Sequence, residues 1–141
     1  MAERSATAQW NGSLMEGKGK MALGSGLFEG AFSFNTRMGD EPGTNPEELL
    51  GASLAGCFSM ALNATLEKKG TPATSVKSKA IVHLGKDDAG FAIRKIELTV
   101  TATVDGIDAD EFTKVVEGVE CPISKALAST NIVITANLEN A

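Results

Sequence analysis

Two stretches in the second half of the chain alternate apolar and polar residues. Over residues 76–84, Val76, Ala80, Val82 and Leu84 share one side; over residues 91–104, Ile96, Leu98, Val100, Ala102 and Val104 oppose Lys95, Glu97, Thr99, Thr101 and Thr103. A period of two predicts half-buried strands, and Gly85-Lys86-Asp87-Asp88-Ala89-Gly90 reads as the hairpin turn between them. The first 34 residues predict three shorter strands, 6–10, 17–23 and 27–34, punctuated by Asn11-Gly12 and Gly24-Ser25-Gly26. A last strand is expected over residues 131–138.

Between these strands lies an apolar run with a helical start and stop. Asn45 suits an N-cap, Pro46 the first helical position, and Glu48 the third residue after the cap, as in a capping box. Lys68 and Lys69 suit the far end and Gly70 a left-handed stop. Within this helix, Leu49 to Leu66 are 18 residues without a charge, close to the length of a bilayer span. Ser53, Ser59, Asn63, Thr65 and two glycines moderate its hydrophobicity, so a fully buried helix of a soluble core is the expected reading, with no membrane.

Residues 108–120 predict an amphipathic helix on Phe112, Val115, Val116 and Val119, and Cys121-Pro122 opens a short third helix to about residue 129. Residues 35–44, NTRMGDEPGT, read as a loop. The order βββ-α-ββ-αα-β is α+β. It predicts an antiparallel sheet, with strands from both ends of the chain, packed on a long buried helix.

Composition narrows the function classes. The chain has 141 residues, 43% hydrophobic and 22% charged, as expected of a single domain over residues 1–141 that folds from about 21,000 Å² of exposed surface to about 7,000 Å². Thirteen Lys and Arg against 18 Asp and Glu leave a net charge of −5, with one Trp, no Tyr and no basic cluster, which argues against nucleic acid. Gly17 and Gly19 lack the spacing of a phosphate loop. The N-terminal MAERSATAQW has no basic segment leading into an apolar one, so a cytoplasmic protein is expected.

Two cysteines and one histidine cannot supply a structural zinc site, which leaves packing, redox chemistry or both for Cys57 and Cys121. Cys57 sits mid-helix, where apolar surroundings favour an inert thiol. Cys121 stands at a helix start before Pro122, where free N–H groups favour a thiolate. Arg37 is the one basic residue of its loop, with Asp40 and Glu41 as its nearest acids. His83 falls on the opposite parity to Val82 and Leu84, near the turn, and reads as a solvated strand residue without a role.

The segments GTNPEELLGASLAGCFSMAL (43–62), ECPISKAL (120–127), ATAQWNG (6–12) and the DGID before the second helix together resemble the OsmC branch of the OsmC/Ohr thiol-dependent peroxidases, over nearly the whole chain. The resemblance implies an intertwined α+β homodimer of oxidative and osmotic stress defence. It would reduce hydroperoxides, organic ones preferentially and hydrogen peroxide less well, with no metal, haem or flavin. Cys57 resembles the peroxidatic cysteine and Cys121 the resolving one, implying a Cys57–Cys121 disulfide. Arg37 resembles the arginine that pairs with the reactive thiolate, and Glu47 the carboxylate that holds that arginine. A dithiol or a lipoylated protein would be the reductant. The alternative is a non-enzymatic dimer that binds an apolar ligand, with structural cysteines.

These roles make physical sense. A cation favours the thiolate, an arginine does so without losing its own proton, and a carboxylate can aim the guanidinium. Glu47 and Cys57 are ten residues apart, about 15 Å along a helix and about 80° around it. They cannot touch within one helix, so Arg37 bridges the gap or Glu47 comes from a second subunit.

Overall fold

The computed structural model describes residues 1–140 and divides into two compact units, Met1–Leu49 and the chain from Leu50 onward. The first unit holds β1 (Ala6–Asn11), β2 (Lys18–Leu23), β3 (Glu29–Phe32) and a short helix α1 (Phe34–Met38). Helix α2 (Pro46–Lys68) starts there and continues into the second unit, which adds β4 (Ala73–Asp87), β5 (Gly90–Val104), α3 (Ala109–Glu117), α4 (Pro122–Ala126) and β6 (Asn131–Glu139).

The α+β class is as the sequence predicts, but the strands form two three-stranded sheets, β1-β2-β3 and β4-β5-β6, rather than one. The first is an antiparallel meander, pairing Trp10 with Gly19 and Gly19 with Phe32. The second is mixed: β4 and β5 run antiparallel, whereas β6 lies parallel to β5, with Ile96 opposite Ile132 and Val100 opposite Ala136. A parallel pair needs a long crossover connection, and the segment carrying α3 and α4 supplies it.

Strand parity in β5 is as read: Ile96, Leu98, Val100, Ala102 and Val104 are all buried. They form one cluster with Phe112, Val115 and Val116 of α3 and with Leu54, Phe58, Leu62 and Leu66 of α2. Each such side chain contributes about 1.5–3 kcal/mol by leaving water. The hairpin turn is shorter than expected. Both strands run on until Asp87 pairs with Gly90, leaving Asp88 and Ala89 as the two-residue turn. Gly90 takes φ +112° there, and Asp87 Oδ1 accepts the Ala89 N–H at 2.9 Å.

By length and composition α2 could cross a membrane, and here it walls a core. Its burial corrects the expectation of a fully buried helix. Leu54, Phe58, Leu62 and Leu66 recur every four residues as one buried stripe, while Ala52, Ser53, Gly56, Met60 and Ala64 are exposed, because within the second unit the sheet covers one face only. The ends follow the sequence more closely. Asn45 Oδ1 accepts the Glu48 N–H at 2.8 Å, and Gly70 takes φ +81°. Half of the capping box is absent, because the Glu48 carboxylate accepts the Thr44 hydroxyl at 2.6 Å instead of an N-cap N–H.

The glycines of the first unit have a packing role. A Cβ on Gly17 would lie 2.7 Å from Cζ2 of Trp10, and one on Gly19 would lie 2.6 Å from Cε1 of Phe32. The two rings, 5.4 Å apart between centroids, thus lie across bare backbone.

Candidate active site

Residues 35–44 are not wholly loop, as the sequence suggested: α1 occupies their start and carries Arg37. Its N-cap, Ser33, is fastened three times to Thr36. The Ser33 N–H donates to Thr36 Oγ1 at 2.8 Å, the Thr36 N–H donates to Ser33 Oγ at 3.2 Å, and the Thr36 hydroxyl donates to the Ser33 carbonyl at 3.1 Å. The helix ends one residue after Arg37, at Met38, so its last turn presents the guanidinium.

Glu47, the second residue of α2, receives it. Arg37 Nε donates to both carboxylate oxygens, at 2.9 and 3.1 Å, and Nη2 donates to Oε1 at 2.5 Å. The Glu47 side chain is 10% exposed and that of Arg37 42%. A carboxylate in the first turn of a helix also faces the free N–H groups that favour negative charge. The arginine therefore pairs with Glu47, in the fork geometry the sequence suggested, rather than with Asp40 or Glu41. A cavity of about 280 Å³ opens beside it, lined by Trp10, Leu14, Phe32, Ser33, Phe34 and Arg37.

The second unit brings the two cysteines together across 64 positions of sequence. Cys57 is half-buried on α2, and Cys121, fully buried, is the N-cap of α4. They pack in the same cluster, each acts on the other's ionisation, and their proton affinities diverge. Burial pushes the Cys57 thiol up, and the neighbouring Cys121 pushes it further, against an opposing N–H from Ile123. Burial also opposes ionisation of Cys121, but the Ser124 N–H, the Cys57 thiol, the Ser124 hydroxyl and the Ile123 N–H outweigh it and bring Cys121 below an ordinary thiol. Cys121 is thus the better thiolate of the pair, as its helix-start position suggested.

The structure therefore gathers the four predicted residues into two pairs, Arg37 with Glu47 in the first unit and Cys57 with Cys121 in the second. Sequence reasoning missed the residues that hold these pairs: Ser33 and Thr36 under Arg37, and Ser124 and Ile123 under Cys121. The spacing Ser-x-x-Thr and Cys-x-x-Ser was the available signal. His83, which received no role, lies exposed on β4 with Nε2 2.8 Å from Glu97 Oε2. Among the described residues, no cluster of three or more His, Cys, Asp or Glu could hold a metal ion.

Comparison with known proteins identifies the family and the fold. A family model described as OsmC-like protein matches residues 39–137. Peroxiredoxin OsmC of Escherichia coli (strain K12) is 46% identical over 123 residues, covering 85% of this chain and 86% of that protein, and the protein of the same name in Shigella flexneri matches equally. Among solved structures, the organic hydroperoxide resistance protein OhrB of Bacillus subtilis superposes with a TM-score of 0.72 at 25% identity, covering 96% of this chain and 98% of that one. An OsmC-like protein of Vibrio cholerae shares the fold, with a TM-score of 0.74 at 19% identity over 96% of this chain and 99% of that one.

Proposed function

The chain belongs to the OsmC family, and from that premise we propose that it is a cysteine-based hydroperoxide reductase. The observation that carries this reading is the neighbouring pair of free cysteines, Cys57 and Cys121. The Cys57 sulfur attacks the O–O bond of the hydroperoxide; one oxygen stays on sulfur as a sulfenic acid and the other leaves as the alcohol. Cys121 condenses with the sulfenic acid, forming a disulfide and releasing water. A thiol reductant, either a small dithiol or a lipoylated protein, returns both thiols.

Cys57 alone is a poor nucleophile, since its thiol is pushed up. The forked Arg37–Glu47 pair supplies the cation this chemistry needs, because an arginine beside Cys57 lowers its pKa and donates to the peroxide as charge develops. Apolar walls beside Arg37, from Trp10, Leu14, Phe32 and Phe34, favour an organic hydroperoxide over hydrogen peroxide. The site is shared across a homodimer. One observation supports the dimer: among the described residues, every buried hydrophobic side chain belongs to the second unit. A three-stranded sheet without an apolar core needs a cover. The reaction belongs to the cytoplasm, where reducing thiols are available.

Thiol titration after one equivalent of an organic hydroperoxide tests the reading. Loss of both thiols per chain, with alcohol released, is the expected result. Unchanged thiols would overturn it in favour of a dimer that only binds an apolar ligand.

A further inference from the structure

Two five-residue helices begin with the same three hydrogen bonds, one acceptor atom changed. At α1 the N-cap is Ser33, tied to Thr36 by the three bonds given above. At α4 the N-cap is Cys121: its N–H donates to Ser124 Oγ at 2.9 Å, the Ser124 N–H donates to Cys121 Sγ at 3.4 Å, and the Ser124 hydroxyl donates to the Cys121 carbonyl at 3.0 Å. Sulfur replaces oxygen as the cap acceptor. Serine, threonine, aspartate and asparagine cap helices well and cysteine is not among them, so the sulfur is kept there at a cost to the helix. The Ser124 hydroxyl grips the main chain of Cys121 and also acts on its sulfur.

We propose that Ser124 is a positioning residue for the second step of the reaction, its hydroxyl locking the Cys121 backbone so that Sγ stays on the Ser124 N–H and faces Cys57 while Cys57 is oxidised. The proposal rests on the peroxidase reading. In that step the Cys121 thiolate attacks the Cys57 sulfenic acid: the S–S bond forms, the S–O bond breaks, and the leaving hydroxide takes a proton to become water. No other oxidant or reductant enters. The group that attacks must be a thiolate, and the Ser124 N–H and hydroxyl both act to lower the Cys121 thiol pKa; the titratable group facing it is Cys57 of α2. Without the hydroxyl, the N-cap N–H and carbonyl lose their partner and the sulfur loses its fixed direction. The attack on peroxide, made by Cys57, does not need Ser124.

The full-length reduced protein, with Ser124→Ala and Ser124→Thr, is mixed rapidly with one equivalent of tert-butyl hydroperoxide, and the Cys57 sulfenic acid is trapped with dimedone over time. Sulfenic acid should form at the same rate in all three, and should persist about tenfold longer in Ser124→Ala alone. Disulfide formation at the normal rate in Ser124→Ala, equal slowing of both steps, or failure of threonine to restore the rate would overturn the proposal. Thiolate ultraviolet absorbance of Cys121, titrated in Cys57→Ser with and without Ser124→Ala, reads the same positioning without peroxide. The alanine should move that titration to higher pH, and an unmoved curve would sink the proposal. If the natural chain consumes no peroxide and keeps both thiols, the peroxidase reading fails, and the titration alone decides what Ser124 does to Cys121.

Discussion

Glu47 grips Arg37 by its edge: Nε and Nη2 are both spent on the carboxylate, and Nη1 is left outside the pair. A lysine in place of Arg37 would keep the charge and lose the fork. Arg37→Lys is expected to lower kcat/KM for an organic hydroperoxide at least tenfold, about 1.4 kcal/mol, and Arg37→Ala further. Steady-state rates decide it. Full activity in the lysine variant would show that charge alone suffices and that the Glu47 fork has no part in the reaction.

The two cysteines should fail differently. Cys57→Ser removes the attacking sulfur and should consume no peroxide. Cys121→Ser should consume one equivalent and stop at a sulfenic acid, visible by mass as one added oxygen. Equal single-turnover peroxide reduction by both variants would contradict the assignment of roles.

Acid should loosen the β4–β5 hairpin before the rest of the second unit. Asp87 Oδ2 accepts Arg94 Nη2 at 2.7 Å, and its Oδ1 accepts the Ala89 N–H at 2.9 Å. The Arg94 side chain, then the Ala89 N–H, hold its carboxyl below the usual carboxylate range. A carboxyl depressed in the folded state stabilises above its unfolded pKa, and that contribution fades as pH falls through the folded one. Protection of the Ala89 amide, taken relative to its intrinsic exchange rate at each pH, should therefore fall at pH below the ordinary carboxylate range, and Asp87→Ala should lack that protection at every pH.

Gly19→Ala should cost about 1–3 kcal/mol, as overpacking does. Its Cβ would sit 2.6 Å from Phe32 Cε1 and 2.7 Å from the Gln9 carbonyl oxygen, and the second of these is main chain that cannot swing aside. The midpoint of chemical unfolding measures this. An unchanged midpoint would mean that the Trp10–Phe32 stack is not part of the stable fold.

Met60 is 78% exposed in the middle of α2, and the proposed homodimer would cover it. Met60→Glu should shift sedimentation at micromolar concentration from dimer toward monomer. Subunit sharing has its own measurement. Inactive Cys57→Ser, exchanged with inactive Arg37→Ala/Glu47→Ala, should regain part of the activity in the mixed dimer. A mixture shown to be heterodimeric by native mass and still inactive would place all four residues within one chain.

Local patterns in the sequence were enough where one residue's environment depends on near neighbours. The alternation from Ile96 to Val104 reports a strand buried on one face, and Asn45-Pro46 reports a helix start. The reading failed where distant residues decide. Ala52, Gly56 and Ala64 are small enough to suit either a covered or an open face, so they could not show that α2 is buried along one stripe. Helix α1 is too short for a period and is held by Ser33, Thr36 and Glu47 rather than by propensity. Arg37 and Glu47 were matched by resemblance, while the contact of Cys57 with Cys121 depends on where β6 and the crossover place α4, which no spacing in the sequence reveals.

The parallel pairing of β6 with β5 also sets an order in time. The segment bearing α4 is fastened at its far end only when residues 131–139, made after it, have joined the sheet. A ribosome will have delivered Cys57 and all of α2 well before that moment. Until Cys121 has been made, Cys57 has no internal sulfur to pair with, so a nascent chain oxidised before then can form a disulfide only with a foreign thiol.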